Sequence, residues 1–96
     1  MAREPAWLIC LEGQLNLTSA VEVKSRMLDW LASGKDLELD LRQVEEMDIT
    51  VLQVLFSGGR EAAARGVGLV TRMSEAAAKA ARDAGFDPMP GWEIQP

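Results

Sequence analysis

The chain has 96 residues and a net charge of −5, with 10 Lys and Arg against 15 Asp and Glu. A chain of that length builds one modest core, and an acidic chain without a basic cluster is a poor partner for nucleic acid. It holds no histidine and one cysteine, which removes the common nucleophile–base pairs, zinc sites and disulfide frameworks in one step.

The opening MAREPAW lacks a signal-peptide apolar region, and no segment reaches membrane-spanning length. The expected location is the cytoplasm, without membrane insertion. Residues 7–12, WLICLE, read as a strand closed by a turn at Gly13, with Cys10 as a small buried core residue. QLNL, residues 14–17, reads as a short second strand.

A helix follows over TSAVEVKSRMLDWLASG. Thr18 or Ser19 is expected to cap it, Ser19 and Glu22 have capping-box spacing, and Gly34 stands where a left-handed C-terminal residue is wanted. Ala20, Val23, Met27, Trp30 and Leu31 recur at three- and four-residue steps and form its buried stripe.

LELDL, residues 37–41, alternates strictly, with Leu37, Leu39 and Leu41 on one face and Glu38 and Asp40 on the other. A sheet covered on both faces has continuous apolar strands, so the helices are expected mainly on one face. Gln43 to Asp48 reads as a loop, and a second helix runs from Asp48 or Ile49 to about Arg65 and ends at Gly66. Its expected buried line is Leu52, Leu55, Phe56, Gly59 and Ala63, with Gly59 on that line for close helix–sheet approach. VGLVTR reads as a strand, Ser74 as the cap of an alanine-rich helix closed by Gly85, and FDPMPGWEIQP as an extended tail that Trp92 pins to the body. Strands alternating with helices imply right-handed α/β crossovers. The domain is expected over residues 1–86 and the tail over 87–96.

The acidic stretch before the second helix offers several chemistries. Asp40, Glu45, Glu46 and Asp48 are oxygen donors of the kind hard cations take, but no calcium-loop spacing is present. Carboxylates that oppose a helix dipole explain them better, so no metal and no cofactor are expected. GVGLV has its glycines in the wrong order for a dinucleotide site, and no acid pair stands out for general acid–base work, so an enzyme is not expected. Thr50, in the first turn of the helix, is a phosphorylation candidate. It is also readable as a cap, with Gln53 completing the box.

LEGQLNLTSAVEVKSRML, LELDLRQVEEMDITVLQVL, REAAARGVGLV and MSEAAAKAARDAGF, in that order, resemble the STAS domain family of the bacterial anti-sigma-factor antagonists. The family signature is a strand ending in Asp-Leu, a short loop, and an Asp-Ser-Ser-Gly-Leu type turn that opens a helix. Here those positions are Asp40-Leu41 and Asp48-Ile49-Thr50-Val51-Leu52. The resemblance implies a mixed sheet of about four strands with helices mainly on one face. It also implies a module that docks on a kinase-type anti-sigma factor or a histidine-kinase-like protein.

The hydroxyl residue that such a kinase phosphorylates falls at Ile49, which has none, with Thr50 beside it and Val51 at the usual glycine. The resemblance thus implies an interaction module in which the ordinary phospho-switch is displaced or lost. The expected partner-binding residues are Glu45, Glu46, Asp48, Ile49, Thr50 and Gln53. Within the family, a regulatory subunit of a phospholipid-transport ABC system is an alternative role. A small-ligand or nucleotide sensor on the same fold is another.

Overall fold

The computed structural model describes residues 7–86 and 92–94. Strand β1 (Trp7–Leu15) leads into helix α1 (Leu17–Ser33), β2 (Leu37–Met47), α2 (Ile49–Arg65), β3 (Leu69–Met73), α3 (Glu75–Asp83) and β4 (Trp92–Ile94). The strands lie side by side in chain order, and every pairing is parallel. Three strands carry the sheet, and the three-residue β4 extends its edge beside β3.

This corrects the expected topology. No separate strand forms at residues 14–17: Gln14 and Leu15 continue β1, Asn16 caps α1, and Leu17 is already helical. The sheet is parallel rather than mixed, because each strand reaches the next through a helix instead of a hairpin. Gly13 does not end β1. It sits inside the strand at φ +76°, beside a register shift against β2, in a left-handed conformation that glycine adopts without steric cost.

Parallel crossovers take one hand, so strands stacked in sequence order carry their connecting helices on the same face. The burial pattern agrees. Ile9, Leu11, Leu37, Leu39, Leu41, Thr71 and Met73 are buried, while the intervening Leu8, Cys10 and Val70 are exposed. Cys10 is therefore not a core residue: in a sheet covered on one side, the residue between Ile9 and Leu11 must face outward. The bare face is polar in its middle. Arg72 Nε lies 3.2 Å from Glu38 Oε2, and Arg42 reaches both oxygens of Asp40, at 3.1 and 3.0 Å. Those contacts with Arg42, foremost its side-chain hydrogen bonds, hold the Asp40 carboxyl below the ordinary aspartate range.

The buried stripe expected for α1 is the one observed: Ala20, Val23, Met27, Trp30 and Leu31. Trp30 satisfies its indole by donating to the Lys35 carbonyl at 2.6 Å. The α1 cap lies further upstream than expected. Asn16 accepts from the Ser19 backbone at 3.1 Å, and the Ser19 hydroxyl accepts from the Asn16 backbone at the same distance. The box therefore pairs Asn16 with Ser19, and Glu22 has no part in it.

Helix α2 buries Val51, Leu52, Leu55, Gly58, Gly59 and Ala62, rather than Phe56 and Ala63. Gly58 faces α1, and a Cβ there would land on Met27 Cε. That glycine therefore serves close helix–helix approach. Gly34 and Gly66 are the left-handed caps that end α1 and α2, and Ser74 caps α3 as expected. The expectation for the Trp92 side chain lies outside the described residues.

Candidate functional site at the start of helix α2

Parallel strands with all their helices on one face bring the helix starts together at the carboxyl end of the sheet. Asn16 opens α1, Asp48 opens α2 and Ser74 opens α3. The Asp48 N–H donates to the Leu15 carbonyl at 2.8 Å, which ties the α2 start to the end of β1. The Ser74 hydroxyl donates to the Val44 carbonyl at 2.8 Å, so the start of α3 is fixed to β2.

The stretch Gln43–Asp48 is not a loop. Strand β2 continues to Met47, with Val44 and Met47 buried and Glu45 and Glu46 exposed, and Asp48 alone separates strand from helix. A tight strand-to-helix turn of this kind holds its cap rigidly. Asp48 Oδ1 accepts from the Thr50 N–H at 2.8 Å and from the Thr50 hydroxyl at 2.6 Å. Thr50 is thus the second helical residue, held by the cap. It is not itself the cap, and the box with Gln53 does not exist. The hydrogen bonds from Thr50, the hydroxyl first and the backbone second, lower the Asp48 pKa below the ordinary aspartate value.

Ile49 is the first helical residue and is 49 % exposed. Gln53 is exposed one turn later, and Thr50 is half-buried. Ile49, Thr50 and Gln53 therefore share the outer corner of α2. Glu45, Glu46 and Asp48 line a cleft of about 520 Å³ on the α3 side, together with Asn16, Lys79 and Asp83. The sequence-selected residues fall on both sides of one edge.

Three helix starts would favour an anion, but Glu45, Glu46 and Asp48 set negative charge against it, and Lys79 is paired with Asp83 at 2.7 Å. Among the described residues, no three His, Cys, Asp or Glu side chains are grouped closely enough to hold a metal ion. Asp40 is turned to the bare face with Arg42 and does not join Glu45, Glu46 and Asp48.

A second concavity, of about 750 Å³, runs between α1 and α2 from Leu17 and Thr50 to Leu31 and Arg65. The buried stripe of α1 dominates its sequence pattern and masks this second face. Leu17, Val21 and Leu28, apolar on that outer face, were the available signal.

A family model described as "Mlab, STAS domain" matches residues 3–91, nearly the whole chain. The chain belongs to the STAS domain family. STAS domains mediate protein–protein interactions and act as regulatory modules, and the parallel sheet with three helices is compatible with that fold. No curated protein matches the sequence closely enough to narrow the assignment. Among the described residues, no helix is long and apolar enough to cross a membrane.

Proposed function

We propose that this STAS domain acts by docking on a protein partner through the edge formed by Asp48, Ile49, Thr50 and Gln53, with Glu45 and Glu46 beside it. The observation that carries the reading is Ile49, a large aliphatic side chain half exposed at the first position of α2. Burying it against a partner removes apolar surface from water.

The partner class is a kinase-type anti-sigma factor or a histidine-kinase-like protein, and the chain works there as an antagonist without the ordinary phospho-switch. Ile49 carries no hydroxyl to modify. The neighbouring Thr50 hydroxyl is engaged by Asp48 at 2.6 Å, so a phosphate on Thr50 would sit against a carboxylate and replace a hydrogen bond with like-charge repulsion. A second reading, the regulatory STAS subunit of a phospholipid-transport ABC system, is favoured by the description of the matching family, which names Mlab.

The test is capture of the anti-sigma kinases and transporter ATPases of the same genome, each purified, on the wild-type domain and on Ile49→Asp. Loss of capture by Ile49→Asp at unchanged melting temperature supports the docking edge, and undiminished capture refutes it. The class of protein captured chooses between the two roles. Phosphate incorporation that vanishes in Thr50→Ala would overturn the loss of the switch.

A further inference from the structure

Helix α1 is amphipathic twice over. Besides its buried stripe it carries Leu17, Val21, Lys24 and Leu28 on a line that runs on to Leu31 at the edge of that stripe, spaced four, three, four and three residues apart. Leu17, Val21 and Leu28 are 65 %, 74 % and 55 % exposed. Across the groove α2 presents Thr50, Val54, Ser57 and Glu61, spaced four, three and four apart. Alternation of threes and fours is the seam that receives a further helix through knobs-into-holes packing. On α2 only Val54 of this row is apolar, so α1 supplies the seam and α2 a mixed wall of a cradle for an amphipathic helix. The floor of the groove is apolar: the Met27 side chain of α1 packs over Gly58 of α2, and both line it.

We infer that the α1–α2 groove binds an amphipathic helix of a partner protein, one with apolar residues at three- and four-residue steps and a carboxylate placed to meet Lys24. This rests on the reading of the chain as an interaction module and extends its docking edge, since Thr50 and Gln53 line one end of the groove.

Charge selects the occupant. Lys24 sits midway along the apolar line and makes no ion pair among the described residues. The other cation in the groove, Arg65, is held by Glu61 at 2.8 Å and by the Leu31 carbonyl. A second copy fits poorly: Lys24 is equidistant in sequence from Leu17 and Leu31, so the two-fold register that covers the whole apolar line of α1 with its own copy places Lys24 against Lys24. An anionic membrane surface is opposed by the net charge of −5.

The experiment uses the full chain and two synthetic 18-residue amphipathic helices with leucine at the seam positions, differing only in a central Glu or Lys. Binding is read by fluorescence polarisation. The Glu peptide is expected to bind at least tenfold more tightly than the Lys peptide. Lys24→Glu should reverse that preference, and Val21→Asp should cost the Glu peptide at least tenfold at unchanged melting temperature. Absence of binding by both peptides, or binding indifferent to Val21→Asp and Lys24→Glu, overturns the inference. So does a dimer in sedimentation that Val21→Asp dissolves, or flotation of the chain with phosphatidylcholine–phosphatidylglycerol vesicles. Partner capture that is sensitive to Ile49→Asp but not to Val21→Asp would leave the docking edge standing and sink the groove alone.

Discussion

Thr71 is the only buried polar or charged residue of the described core, with a relative exposure of 0 %, and its hydroxyl has no hydrogen-bond partner. It occupies the middle of β3, opposite Leu39 of β2, on the face that the helices cover. A buried hydroxyl without a partner costs about 1–3 kcal/mol of desolvation. Thr71→Val removes that cost and replaces the oxygen with a methyl group of similar size, while both residues suit a strand equally well. The cavity and strain effects of most core substitutions are therefore absent, and the variant should be more stable by about 1–2 kcal/mol. For a domain of this length that is a rise in Tm of roughly 4–8 °C per kcal/mol. Urea unfolding followed by circular dichroism reads the change as a higher midpoint at constant slope. Thr71→Ser is the control, because it keeps the oxygen, loses the methyl group and should destabilise. A Thr71→Val protein no more stable than the wild type would refute the reasoning, since the hydroxyl would then have a partner in solution.

The other predictions concern the site and the bare face. The Asp48 pKa is depressed in the folded chain, so its contribution to stability is complete above the unfolded value and disappears as pH falls through the folded one. Asp48→Asn should accordingly flatten the acid limb of a Tm–pH profile below the ordinary aspartate range, and an unchanged limb would contradict the Thr50–Asp48 pairing. Cys10 should react with a thiol reagent in the native state as fast as in urea, since it is exposed. Protection that disappears only on unfolding would return it to the core.

The strict alternation of LELDL made the one-sided sheet legible, because its period of two needs no tertiary information. The glycine caps at Gly34 and Gly66 were legible for a similar reason: they end their helices through local geometry. Three features were not. Glu45 and Glu46 looked like loop residues because two adjacent charges break alternation, yet Val44 and Met47 are anchored on the covered face and the strand runs through them. The cap at Asn16 competes with neighbouring Thr18 and Ser19, which have the same chemistry, and only the entry angle of the chain decides between them. Cys10 was misplaced by composition, since cysteine is usually buried. The alternation around it carried the better information. Ile49, by contrast, could be placed at the start of α2 from the motif positions alone, and the structure adds that it is exposed.

Sheet neighbours that are also sequence neighbours have a consequence for the order in which the protein is made. Each strand of this sheet pairs with the one synthesised just before it. Every residue assigned to partner contact, from Leu17 at the head of α1 to Arg65 at the foot of α2, precedes β3, α3 and β4 in the chain. The proposed recognition surface thus lies wholly in the part of this domain that is synthesised before β3, and the later segments complete the support beneath a surface already encoded.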